Sequence, residues 1–284
     1  MRRRHITVQT PHGNGTIAAI EFGPPSRPLD ILFLHANGFN ALTYRHVFAE
    51  LDPALRLLAV DLRGHGLTTL PVPAEHPGWH IYAEDLLALI NATGEPPRLL
   101  AGHSMGGATA LLAAPRLPGE VRRLVLFDPV MVDPAIRAAS GAKPLWELPM
   151  AQAALRRKAA FASRKLALDA YEGRGAFRTW QDAMLQDYIE DGLTAAPDGG
   201  FILACTPQWE AANFATFGMA DPWSGLRACA VPVVIFRAAH GSTCAISGTR
   251  LPPSVLVHTL PGTSHFLPME RPGIVCKALA EALA

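Results

Sequence analysis

Ser104 stands between Gly102 and Gly106 in residues 99–114 (LLAGHSMGGATALLAA), where a short apolar run meets a run of small residues. A sharp strand-to-helix turn at this serine would force its backbone out of the ordinary regions. The residues two before and two after must then be nearly free of side chain to clear strand and helix. Glycine meets that need at both places. Such a turn lifts the hydroxyl clear of its neighbours. The start of the following helix presents unpaired N–H groups and a positive dipole end to a developing oxyanion. The chemistry this predicts is acyl transfer from a G-x-S-x-G elbow. The competing reading of the same five residues is a glycine-rich turn that only packs, and the remainder of the chain decides between them.

An elbow of this kind needs a buried sheet to carry it. Residues 30–35 (DILFLH) and 55–61 (LRLLAVD) are continuous apolar runs ended by Ala36-Asn37-Gly38 and Arg63-Gly64-His65-Gly66, and read as strands buried on both faces. Residues 44–51 are helical in period, and residues 80–91 form a longer helix with Ile81, Asp85, Leu86, Leu89 and Ile90 on one side. The elbow strand (98–102), its helix and another strand (121–127) ending at Asp128-Pro129 follow. Ahead of all these, residues 5–9 and 16–22 alternate as a hairpin with its turn at Gly13-Asn14-Gly15. After a gap the pattern resumes with strands at 231–236 and 254–259 and a closing helix at 273–284.

The gap, residues 130–227, shows helix-like segments without strands and reads as a helical cap on a parallel sheet, the core being 1–129 and 228–284. It holds four of the five tryptophans, Trp146, Trp180, Trp209 and Trp223. Most cap aromatics serve its core, and Trp146, Trp180, Trp209 and Phe39 are the candidates for an apolar substrate pocket. Arg156, Arg157, Lys158, Arg164 and Lys165 read as a solvated face.

Bulk composition agrees with a globular protein. The chain has 284 residues, 49% of them hydrophobic, with 25 Lys and Arg against 24 Asp and Glu. A net charge of +1 points to neither nucleic acid nor an anionic surface, and suits a small, uncharged or weakly charged ligand. The four cysteines, Cys205, Cys229, Cys244 and Cys276, form no C-x-x-C pair and read as buried free thiols, with no metal site and no cofactor motif. No run approaches the about 18 apolar residues of a membrane span. The opening MRRRHITVQTPHG lacks the apolar core of a secretory signal, so the expected location is cytoplasmic.

Three motifs in order resemble the α/β-hydrolase superfamily: the apolar strand ending in His35-Ala36-Asn37-Gly38-Phe39, the turn Asp61-Leu62-Arg63-Gly64-His65-Gly66, and the elbow at 102–107. The resemblance runs nearly the whole chain. It implies an α/β-hydrolase fold, a mostly parallel central sheet flanked by helices with an inserted helical cap. It also implies an oxyanion hole from the backbone N–H groups of Asn37 and Met105, with a further polar contact from the Asn37 side chain. Ala36 replaces the usual glycine. Asp61 and Arg63 read as a structural turn. The general base is expected after the last strand, where Pro261-Gly262-Thr263-Ser264-His265-Phe266 offers His265 among eleven histidines. The usual place for the acid, the loop 237–243, holds neither Asp nor Glu. Asp128, the position some relatives use, is the expected acid, with Asp133 and Glu270 in reserve.

By this resemblance the expected activity is cleavage of carboxylic esters of medium apolar substrates through an acyl-enzyme on Ser104. Lactone, thioester or carbon–carbon hydrolysis is the alternative within the same fold. A small-molecule sensor is the alternative outside catalysis. Relatives that open epoxides or cleave haloalkanes use an aspartate nucleophile, which Ser104 excludes.

Overall fold

A computed structural model describes residues 1–140, 143–246 and 251–284. The chain begins with β1 (Arg2–Thr10) and β2 (Gly13–Phe22), then β3 (Ile31–Leu34), β4 (Leu57–Val60), α1 (His80–Thr93), β5 (Leu99–His103), α2 (Met105–Ala113) and β6 (Arg123–Phe127). Next come α3 (Pro134–Ser140), α4 (Pro149–Leu155), β7 (Ala160–Phe161), α5 (Arg164–Tyr171), α6 (Asp182–Gly192), β8 (Leu193–Ala195), β9 (Phe201–Leu203), α7 (Pro207–Thr216) and α8 (Pro222–Ala228). The chain closes with β10 (Val233–Ala238), β11 (Val255–Leu260), α9 (Leu267–Glu270) and α10 (Pro272–Glu281). Eight strands form one sheet in the order β1-β2-β4-β3-β5-β6-β10-β11. Strands from β4 onwards in that order run parallel, and the hairpin joins them antiparallel at the edge.

The apolar runs split between two cores with the period of a strand. Leu32, Leu34, Leu100, Leu124 and Leu126 face a core completed by α1, α2 and α8. Ile31, Phe33, Leu99, Ala101, Val125 and Phe127 face the other, completed by α9, α10 and the segment around Tyr44 and Phe48. Each large side chain buried in this way contributes roughly 1.5–3 kcal/mol. Burial on both faces explains why these strands read as unbroken apolar runs rather than as alternation.

Three local expectations change. The hairpin turn lies at Pro11-His12, since Thr10 pairs with Gly13. Gly15 is needed instead for close approach, because a Cβ there would sit 2.9 Å from the Thr69 carbonyl oxygen. Residues 44–51 keep the expected buried spacing at Tyr44, Val47 and Phe48, but close by i→i+3 bonds such as Arg45 N–H to Leu42 O and Leu51 N–H to Phe48 O. Residues 130–227 are not free of strands: β7, β9 and β8 make a small antiparallel sheet. Strands of two and three residues are too short for periodicity to detect.

The parallel register sets the site. His103 pairs with Phe127, so β5 and β6 end level with one another, and Ser104 N–H donates to Phe127 O at 3.0 Å. The next residue on each strand is therefore presented at the same carboxyl edge of the sheet, where open α/β sheets place their ligands.

Candidate active site

Ser104 has φ 54° and ψ −116°, a conformation that non-glycine residues seldom occupy. The cost is sustained by its surroundings. A Cβ on Gly102 would lie 2.5 Å from the Gly106 carbonyl carbon, and one on Gly106 would run into the Leu34 carbonyl oxygen. Strand β5, helix α2 and strand β3 thus meet at van der Waals distance, and the serine takes up the strain.

The Ser104 hydroxyl lies 2.9 Å from His265 Nε2, and His265 Nδ1 lies 2.6 Å from Asp128 Oδ2. A carboxylate only accepts, so Nδ1 carries the ring proton and Nε2 is left to accept from Ser104. Asp128 is fully buried at the end of β6, with φ 42°. Its Oδ1 accepts from Ala238 N–H at 2.9 Å and Ser242 Oγ–H at 2.6 Å, and its Oδ2 accepts from Thr243 N–H at 3.0 Å. Burial alone pushes this carboxyl up. The hydrogen bonds from His265, Ser242 and Ala238 outweigh it, and the group titrates below its ordinary value. The loop after β10, which lacks an acid of its own, supplies the donors that keep the neighbouring strand's acid ionised.

His103 braces the far side. Its Nε2–H donates to the His265 carbonyl at 2.8 Å, and its Nδ1 accepts from Tyr44 O–H at 2.7 Å. Tyr44 in turn accepts from Ala36 N–H at 3.1 Å. One fully buried imidazole therefore ties the loop of His265 to the loop of Asn37, and burial pushes its pKa down to about 3.

Asn37 and Met105 both border the cavity above Ser104. Met105 is the first residue of α2, where a helix leaves its N–H groups without intrahelical partners. The Asn37 side chain does not join them. It donates to Glu210 O at 3.1 Å and accepts from Asn213 Nδ2–H at 2.8 Å, both on α7. Asn213 is fully buried and also accepts from Tyr82 O–H at 2.6 Å. The neighbouring Gly38 N–H donates to His65 Nε2 at 3.0 Å. The loop is fixed from both sides, by the turn after β4 and by the inserted segment.

The sequence matches the model of the alpha/beta hydrolase family over residues 31–278. The chain belongs to that family. It is 33% identical over 103 residues to 2-(acetamidomethylene)succinate hydrolase of Mesorhizobium japonicum, covering 36% of each chain. It is 35% identical over 109 residues to lipase LipV of Mycobacterium tuberculosis, covering 38% of this chain and 40% of that one. These matches span less than half the length of either relative. Among solved structures, that of E-2-(acetamidomethylene)succinate hydrolase superposes with a TM-score of 0.78 at 25% identity, over 99% of both chains.

In this α/β hydrolase the cavity over Ser104 has a volume of about 370 Å³. Phe39 lines it, as do Trp79, Phe214, Phe217 and Phe266, which sequence reasoning did not place there. The tryptophans named from the sequence lie elsewhere. Trp146 is 43% exposed and borders a separate cleft with Trp209. The Trp209 indole is buried against Gly64 and donates to Arg63 O at 3.1 Å. Trp180 stands edge-on behind Phe39 at 4.9 Å. Asp133 borders the cavity but accepts from Ala135 N–H, and Glu270 accepts from Ser264 and Thr179, so neither meets His265. Asp61 accepts from Ala41 and Leu67 N–H, while Arg63 pairs with buried Asp85. Arg157 departs from the expected solvated face: its side chain is 18% exposed and pairs with Glu210. The cysteines are free, three buried and Cys229 half-buried. Among the described residues no helix is long and apolar enough to cross a membrane.

Proposed function

We propose that this α/β hydrolase cleaves carboxylic esters carrying medium apolar groups, by way of an acyl-enzyme on Ser104. The observation that carries the reading is the unbroken line from Ser104 Oγ through His265 to Asp128, at 2.9 and 2.6 Å. Ser104 Oγ attacks the ester carbonyl while its proton passes to His265 Nε2. The carbonyl oxygen gains the negative charge and faces the N–H groups of Asn37 and Met105. Collapse expels the alcohol, which takes the proton from His265. Water then repeats the sequence on the acyl-enzyme, and the acid is released with Ser104 restored. Asp128 holds the Nδ1–H tautomer and stabilises the transient imidazolium. The apolar cavity supports a medium-sized substrate group, and residues 130–227 serve as the cap that encloses it.

The test is a chain-length series of p-nitrophenyl esters with wild type and Ser104→Ala, together with fluorophosphonate labelling located by mass spectrometry. The expected result is sustained turnover, a label on Ser104, and loss of both in the variant with its unfolding transition retained. Labelling without turnover of any ester in the series would refute the ester reading and favour a sensor or a different scissile bond.

A further inference from the structure

Behind the cavity over Ser104 lies a second one of about 510 Å³, and Phe39, Met150, Ala176, Glu210 and Phe214 line both. We propose that this second compartment binds a carboxylate, so that the preferred substrates are esters bearing one free carboxylate away from the scissile bond. The inference rests on the hydrolase reading and adds the substrate class.

The walls of the second compartment are largely apolar, with the polar groups gathered around one guanidinium. Arg157 pairs with Glu210 through Nη1, and donates from Nη2 to the phenol oxygens of Tyr171 at 3.1 Å and Tyr188 at 2.7 Å. Three of its five N–H groups are committed, which leaves Nε–H and one Nη1–H. Both phenols act there as acceptors, so each keeps its own proton to donate. The cluster therefore keeps spare donors on Arg157, Tyr171 and Tyr188 beside a single carboxylate, Glu210, whose charge Arg157 already offsets.

Charge points the same way. The second compartment is lined by Arg157, the exposed Arg174 and Glu210, a sum of +1 that one carboxylate neutralises. Among the described residues the cavity over Ser104 is lined by Asp133 and Glu210, with no lysine or arginine. Glu210 borders both and is paired with Arg157, so the two ends differ by Asp133 on one side and by Arg174 on the other, and an anionic substrate end is drawn towards the second compartment.

Calorimetric titration of Ser104→Ala with monoethyl and diethyl esters of succinate, glutarate and adipate tests this without needing turnover. At one chain length the monoethyl ester is expected to bind at least about tenfold more tightly than the diethyl ester. Tyr171→Phe and Arg174→Gln, added singly, leave the Arg157–Glu210 pair in place and should each cut that preference several-fold. Equal affinity at every length, no binding by either ester, or a preference untouched by both substitutions would overturn the proposal. Wild-type turnover of p-nitrophenyl butyrate, measured alongside, reports on the hydrolase reading alone. A carboxylate preference without turnover of any ester by wild type, the monoethyl esters included, would sink that reading and leave the subsite standing.

Discussion

Asp128→Asn is the most discriminating change, because the cradle around this side chain is built for two acceptors. Oδ1 faces Ala238 N–H at 2.9 Å and Oδ2 faces Thr243 N–H at 3.0 Å, and neither backbone donor can turn away. An amide must set its NH2 against one of them. With the amide oxygen towards Ala238, the NH2 also meets His265 Nδ1, which must give up its proton and become the acceptor. The ring proton then moves to Nε2, and the group facing Ser104 donates instead of accepting. The base is lost with its geometry intact, for which the expected fall in kcat/KM is about 10³–10⁴-fold, or about 4–5.5 kcal/mol of transition-state stabilisation. With the amide reversed, the NH2 opposes Ala238 N–H in a site closed to solvent, and the loss appears as stability. The assay is kcat/KM on p-nitrophenyl butyrate alongside thermal unfolding. A variant within tenfold of wild type in rate, with an unchanged unfolding midpoint, would refute the role assigned to Asp128 and to the loop 238–243.

Two further outcomes are expected. Gly106→Ala drives a methyl into the Leu34 carbonyl on a central strand and should cost about 1–3 kcal/mol or more. At roughly 2–4 °C per kcal/mol this gives a clear fall in midpoint along with lost activity, whereas Gly119→Ala, with nothing within 4 Å of the added carbon, should change neither; equal midpoints for the two would contradict the close packing. His65 and His76 are each pushed down to about 4 and His103 to about 3, all by burial first. Their folded pKa values lie below the ordinary one, so the unfolded chain binds more protons as pH falls through about 6.5. Their stabilising contribution is complete above that pH and is lost progressively towards pH 4. Asp61, pushed up to about 7 by burial, works in the opposite direction over the same window, so the test is the difference between wild type and Asp61→Asn: in that background unfolding midpoints from pH 7.5 to 4.5 should fall by a margin that grows with acidity, and a flat profile there would refute the buried neutral state of these rings.

The parts of this site that lie close in sequence were legible there. Gly102, Ser104 and Gly106 declare the elbow because sterics act over two residues. The strands declare themselves because burial on both faces removes alternation. Asp128 came into view through the resemblance to the superfamily, as the strand-end position some relatives use where the loop 237–243 holds no acid. What stayed hidden depends on side chains meeting across the fold. Nothing in the sequence distinguishes Trp79, which borders the cavity, from Trp209, which packs on Gly64. Asn37 is visible as a loop residue, yet its side chain is claimed by Glu210 and Asn213, more than 170 positions on. Arg157 sits in a basic run and still turns inward, since Glu210, Tyr171 and Tyr188 converge on it from three other segments.

The level ends of β5 and β6 have a consequence for how this protein tolerates change. The separation of Ser104 from Asp128 is set by the spacing of two hydrogen-bonded strands, about 4.8 Å, and by their register. It does not depend on the length of any loop. Residues 239–243 carry no member of the Ser104–His265–Asp128 line, so a change there reaches the proton path only through the hydrogen bonds that Ser242 and Thr243 give to Asp128. In an enzyme whose acid rides on that loop, the same change would move the acid itself.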